Sequence, residues 1–105
     1  MTSAMRNYLL ACLLAAACVY AQAGVGLTQL PGQKGDNPVT VFYPSAADDK
    51  PVQRGPFTIN VAEQGEPKRG NGHLVVISHG SGGNAWVHSD LARALVNAGY
   101  VVAMP

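Results

Sequence analysis

Cysteine is scarce in this 105-residue chain, and both copies, Cys12 and Cys18, lie in the first 23 residues. From Gly24 onward there is no thiol, so a disulfide, a thiolate nucleophile and a cysteine metal site are all excluded there. Charge is sparse and balanced. Arg6 is the only charged residue before Gly24, and the remainder carries six basic and six acidic side chains. No basic stripe marks a nucleic-acid surface, so no nucleic-acid partner is expected. A continuous apolar run of about 20 residues, the length that spans a bilayer, is also missing. So is the nucleophile-elbow pattern G-x-S-x-G.

The N-terminus reads as an export signal. Arg6 supplies the positive start, Tyr8 to Ala21 (YLLACLLAAACVYA) the apolar centre, and Ala21-Gln22-Ala23 a small-x-small cleavage site. Cleavage there puts the mature start near Gly24. The competing reading, a membrane anchor, needs a longer apolar stretch than these 14 residues. Leu9-Leu10-Ala11-Cys12 and Ala15-Ala16-Ala17-Cys18 loosely resemble lipoprotein processing sites, but two cysteines inside an apolar centre also serve as plain hydrophobes. The expected location is periplasmic or extracellular, with no stable membrane span after cleavage.

Residues 24–105 have room for one modest core. Strands are expected over Val25–Leu30, Val39–Tyr43 and Phe57–Val61, the last alternating with Phe57, Ile59 and Val61 on one face. Ala46–Gly55 is charged and holds Pro51; Ala62–Gly72 holds Pro67, Gly70 and Gly72. Both read as surface loops. Leu74–Ser78 does not alternate, which suits a central strand buried on both faces. Trp86–Asn97 has helical spacing, with Val87, Leu91, Ala94, Leu95 and Ala98 as one stripe. Gly99 is a natural helix stop, and Tyr100–Met104 is a second apolar strand. Residues 74–104 therefore form a strand–loop–helix–strand unit with parallel strands, and the fold class is α/β.

The chemistry concentrates in His79-Gly80-Ser81-Gly82-Gly83, between the strand and the helix. One reading is an oxyanion loop, with the Ser81 N–H pointing into a cleft and the helix N-terminus adding positive potential. A second makes Ser81 a nucleophile, because Ser-Gly-Gly echoes GDSGG, although His-Gly stands where Gly-Asp belongs and the setting is a strand-to-helix turn. A third is phosphate binding, but Ala85 occupies the third glycine position and there is no Walker lysine. A fourth is a glycine turn that only permits tight packing. His79 is a candidate base or ligand, yet a lone histidine by a glycine turn is more often a structural hydrogen-bonder. His73 and His88 form no recognisable metal spacing with it. Asp90 suits the helix dipole. Trp86 either lines a cleft or packs on the core.

The stretch VVISHGSGGNAWVHSDLARALVNAGYVVAMP, with PVTVFYPS (Pro38–Ser45) upstream, resembles the α/β-hydrolase superfamily. It is most similar to exported bacterial proteins of the dienelactone hydrolase-like group, related to platelet-activating-factor acetylhydrolases and cutinase-like polyester hydrolases. The resemblance covers residues 24–105. It implies that LVVIS is the third strand of the family order. It also implies that the Ser81 backbone gives one oxyanion-hole N–H, and that Gly80 and Gly82 shape the loop, with His79 and Gly83 at its ends. The second N–H comes from the residue after the nucleophile, which these residues do not contain; nor do they contain the later acid and histidine. The expectation is the N-terminal portion of an exported acyl or carboxylic ester hydrolase, ending before the nucleophile and inactive alone. A small-molecule ester would be the substrate of the full-length protein, and neither a metal nor an organic cofactor is expected. The alternative is a complete, small periplasmic interaction protein whose open sheet docks on a partner. A nucleotide-binding fragment is disfavoured by Ala85.

Overall fold

A computed structural model describes residues 24–80 and 83–105. The expected signal sequence therefore lies outside the described residues, as do Ser81 and Gly82. Six strands and one short helix follow in order: β1 (Gly24–Leu30), β2 (Val39–Ser45), β3 (Lys50–Arg54), β4 (Phe57–Glu63), β5 (Leu74–Val76), a 3₁₀ turn (Ala85–His88), α1 (Ser89–Asn97) and β6 (Val101–Met104). They build one mixed sheet in the order β3-β4-β1-β2-β6-β5. β2 is antiparallel to β1 and β6, β3 is antiparallel to β4, β1 is parallel to β4, and β5 is parallel to β6. Strands β1, β4, β5 and β6 thus run one way, and β2 and β3 run the other. The expected parallel pair is present, with Leu74 opposite Val101 and Val76 opposite Ala103. The chain is an α/β protein at this level.

Register sorts the side chains into two faces. Leu27 stands opposite Phe42, and Phe42 opposite Val102. With Val25, Ile59, Val61 and Met104 these residues form the core, closed from above by Ala92 and Val96 of α1. Ala92 has no exposed surface, and a small side chain there lets the helix lie close to β2 and β6. The residues between them in sequence point the other way. Val39, Val41, Tyr43, Val101 and Ala103 are half-buried, and Leu74 and Val76 are 61% and 59% exposed. Among the described residues no helix packs on this second face; the segment at Gly65 reaches Tyr43, and Leu74 and Val76 are left open.

Three expectations are corrected. Lys50–Arg54, expected within a loop, is a strand. It pairs only with β4 at the sheet edge, where Pro51 and polar residues are tolerated because one row of backbone groups faces away from the ladder. Leu74–Ser78, expected to be central and buried on both faces, is regular only through Val76 and occupies the opposite edge. Its apolar content matches a two-sided environment, but among the described residues only one side has a neighbour. The helix also buries a different stripe. Leu95 packs partly on the core, whereas Val87, Leu91, Ala94 and Ala98 are exposed. The buried arc is rotated by about one residue, near 100°, from the expected one. The helix also begins as a 3₁₀ turn of 120° per residue, so the phase at Val87 does not carry into α1.

The helix ends as its sequence requires. Gly99 has φ +100°, its N–H donates to the Val96 carbonyl (2.8 Å), and the Tyr100 N–H donates to the Leu95 carbonyl (3.0 Å). This pair of bonds is a Schellman motif, which needs the left-handed conformation that glycine adopts without strain.

Candidate functional site

β5 delivers the chain to the His79 loop at the carboxyl end of the parallel pair. The Ile77 N–H donates to the Ala103 carbonyl (2.9 Å), so β5 and β6 stay tied up to the loop's first residues. The loop then closes tightly. The Gly83 N–H donates to the Gly80 carbonyl at 2.9 Å. His79 Nδ1 lies 3.1 Å from the same carbonyl oxygen. A Cβ at Gly83 would come within 3.1 Å of the Gly80 oxygen and 3.4 Å of the His79 ring, so a side chain there would crowd the turn. His79 therefore sits beside this closure as a local hydrogen-bonding group. Ser81, the residue expected to offer its N–H, and Gly82 lie outside the described residues.

Past the turn, Asn84 is extended and its Oδ1 accepts the N–H groups of Trp86 (2.9 Å) and Val87 (3.2 Å). This side-chain cap satisfies two donors that otherwise end a helix unpaired. The positive end of the 3₁₀ turn is thus already engaged by a protein group. Asp90 stands in the first turn of α1, where its charge suits the dipole. The other histidines sit apart in role. The His73 N–H donates to Asn71 Oδ1 (2.9 Å) and its ring leans on Tyr100, whereas His88 closes the 3₁₀ turn.

Trp86 packs on the core and also borders a groove. Its ring meets the edge of Phe42 in a T-shaped contact, 6.4 Å between centroids at 78°, which anchors the loop exit to the core. It also forms one wall of a groove of ≈ 270 Å³ with Thr28, Gln29, Arg54, Glu63 and Gln64. The Arg54 guanidinium lies 5.6 Å from the centre of the indole and is ion-paired with Glu63. None of these partners was singled out from sequence, because they come from three separated segments with no local signature. A further network was also missed. Asp49 accepts the Val25 N–H (2.7 Å) and an Arg93 guanidinium N–H (3.0 Å), and Arg93 also donates to the Asn60 carbonyl. Among the described residues no group of three His, Cys, Asp or Glu side chains is arranged to hold a metal, and no helix is long and apolar enough to cross a membrane. Comparison with protein-family models, curated proteins and solved structures gives no match to this chain.

Proposed function

We propose that residues 24–105 supply the oxyanion-loop portion of an exported hydrolase of the α/β-hydrolase kind, acting on a carboxylic ester or related acyl bond. The observation that carries the reading is the unit from β5 to β6. An apolar strand leads to Gly80, whose carbonyl accepts the Gly83 N–H, a capped helix returns across the sheet, and a parallel strand pairs back in register. A turn of this kind at the carboxyl end of a strand frees backbone N–H groups toward a cleft. In the proposed reaction a Ser or Cys nucleophile, contributed by polypeptide beyond these residues, attacks the carbonyl carbon. The π electrons move onto oxygen, and the Ser81 N–H donates to that oxyanion. Collapse expels the alkoxide, and water then hydrolyses the acyl-enzyme. The uncovered second face and the free edge of β5 support further polypeptide in the working domain.

The test separates backbone from side chain. The chain joined to its natural downstream polypeptide should hydrolyse p-nitrophenyl acetate, whereas the 105 residues alone should match the buffer rate. Ser81→Ala keeps the N–H and should hold kcat within a few-fold. Ser81→Pro removes it and should lower kcat by about 10²–10³, the usual effect of losing one oxyanion donor. Full activity in the proline variant would sink the reading, and a loss in alanine equal to that in proline would move the role to the hydroxyl. The second reading, an interaction protein, draws on the same uncovered face. It would be favoured if the joined protein had no turnover at all.

A further inference from the structure

Gly24 stands where packing and processing meet. It is buried and lies opposite Ser45 in the β1–β2 ladder. A Cβ there would come within 2.1 Å of the Ala47 carbonyl oxygen and 2.7 Å of Asp49 Oδ1, and the first of these is backbone that cannot swing aside. The fold thus restricts this position to glycine. The same residue directly follows Ala21-Gln22-Ala23, the expected cleavage site. Its nitrogen is an amide in the uncut chain and an ammonium after cleavage.

The acceptors around that nitrogen suit the ammonium. Backbone N–H groups alternate sides along a strand. The Val25 N–H leaves the ladder for Asp49 Oδ1 (2.7 Å), so the Gly24 nitrogen faces β2, where the Ser45 carbonyl takes one proton. An amide has no further proton to give, whereas an ammonium has two. A Cβ sits about 2.5 Å from its own backbone nitrogen, so the Gly24 nitrogen is no more than about 5 Å from both the Ala47 oxygen and the Asp49 carboxylate. Asp49 is already held in place by Val25 and Arg93, and a carboxylate accepts about four hydrogen bonds. The other charges nearby are cations: Arg93 shares Asp49, and Lys68 and Arg69 border a cavity of ≈ 460 Å³ together with Gly24. The carboxyl end of α1, with its negative dipole end, lines the same cavity and offsets them. Asp48, the neighbouring acid, is exposed. An ammonium on a buried residue is costly unless it is paired, and Asp49 is the acid in reach.

We propose that Asp49, with the Ala47 and Ser45 carbonyls, is a capture site for the α-ammonium that cleavage after Ala23 creates on Gly24. Water, added across the Ala23–Gly24 amide by the export peptidase, leaves a carboxylate on Ala23 and the ammonium on Gly24, and no other bond changes. A chain left uncut, or processed at Cys12 or Cys18, keeps an amide at Gly24 and cannot fill the site. The inference rests on the export part of the proposed function and not on the hydrolytic part. The chain joined to its natural downstream polypeptide is expressed for export, and the mass of its amino-terminal peptide is read first. That peptide should begin at Gly24. Competitive acetylation with trace acetic anhydride from about pH 6 to 10, followed by peptide mapping, gives the pH at which the Gly24 amine is half reactive, separately from its accessibility. The folded midpoint should lie about half a unit or more above the midpoint in urea, because a neighbouring carboxylate favours the charged form. Asp49→Asn keeps an acceptor for Val25 and should abolish the difference, with the Lys34 amine labelling alike in both proteins. A cooperative urea transition shows that this variant is folded. Arg93→Gln removes the cation that shares Asp49 and should raise the folded midpoint further. The proposal is overturned if the amino terminus lies elsewhere, if the folded midpoint equals or falls below the unfolded one, or if Asp49→Asn keeps the wild-type difference. A terminus at Gly24 without the shift overturns capture and leaves export intact, and ester turnover is not read.

Discussion

Replacing Asp49 should reveal how the amino end of β1 is held. Val25 is 1% exposed, and its N–H points away from the ladder to Asp49 Oδ1 at 2.7 Å. The other carboxylate oxygen takes Arg93 of α1 at 3.0 Å, and Arg93 also reaches the Asn60 carbonyl of β4. One carboxylate therefore fastens strand, helix and hairpin. Asp49→Ala leaves the Val25 N–H buried without a partner, which costs about 1–3 kcal/mol. The ion pair adds less, because its side chains are 23% and 35% exposed and solvent screens them. A contribution of about 0.2–1 kcal/mol is appropriate there. The sum, about 1–4 kcal/mol, is a large share of the roughly 4–12 kcal/mol expected for a domain of some 80 residues. Asp49→Asn keeps an acceptor for Val25 and gives up only the charge, so it should lose no more than about 1 kcal/mol. Urea unfolding followed by Trp86 emission measures both. With a slope near 1 kcal/mol per molar, the alanine midpoint should fall by about 1 M or more and the asparagine midpoint by much less. Equal shifts in the two variants, or an alanine shift within error of zero, would refute the assignment of the stability to the Val25 hydrogen bond.

Other perturbations have equally definite outcomes. The Tyr43 hydroxyl donates to the Gly65 carbonyl at 2.7 Å, and burial first, then the nearby Glu66 charge, raise its pKa above 10.0. Since the folded state holds this proton more tightly than the unfolded one, the associated stability is complete below about pH 10 and is lost as pH rises toward the folded pKa. Alkaline unfolding curves should show that loss in the wild type and not in Tyr43→Phe. Gly99→Ala places a Cβ at φ +100° and should destabilise by about 1 kcal/mol or more in thermal unfolding, whereas a surface change such as Asp48→Ala should be near neutral. Leu74→Lys and Val76→Lys together should leave the unfolding midpoint within about 0.5 kcal/mol and reduce binding of the dye ANS, because both side chains are already exposed in the isolated chain.

Much of the sheet was legible because its signals are local. VTVFYPS is β-branched and aromatic and forms β2, and the apolar run, glycine turn, helical spacing and Gly99 stop give β5, α1 and β6 in order. The features that escaped depend on neighbours. Lys-Pro-Val-Gln-Arg carries no strand pattern, and it becomes β3 only because an edge strand tolerates proline and polar residues next to β4. The alternation expected over Phe57–Val61 is present, but it does not carry on to Ala62, which is buried next to Val61 as β4 passes from pairing with β3 to pairing with β1. The helix has two apolar arcs, and the sheet takes the one with the smaller residue, Ala92. The candidate site divides in the same way. The glycine turn announced itself, while the groove joins residues 28, 29, 54, 63, 64 and 86, which only the fold brings together.

The two faces of the sheet differ in a way that bears on function. On the helix side, Val25, Leu27, Phe42, Val102 and Met104 are each at most 3% exposed, so α1 and the hairpin complete a small core. On the other side Val39, Val41, Tyr43 and Val101 of β2 and β6 are half-buried, and Leu74 and Val76 of β5 are open to solvent. Covering Leu74 and Val76 alone would stabilise the fold by about 1.5–3 kcal/mol per side chain. This energy is comparable with the whole stability margin of a domain this small, so whatever covers the face governs how firmly β5 is held. The His79 turn hangs from β5. On the proposed reading, how well the loop presents an N–H to an oxyanion therefore depends on what covers the second face.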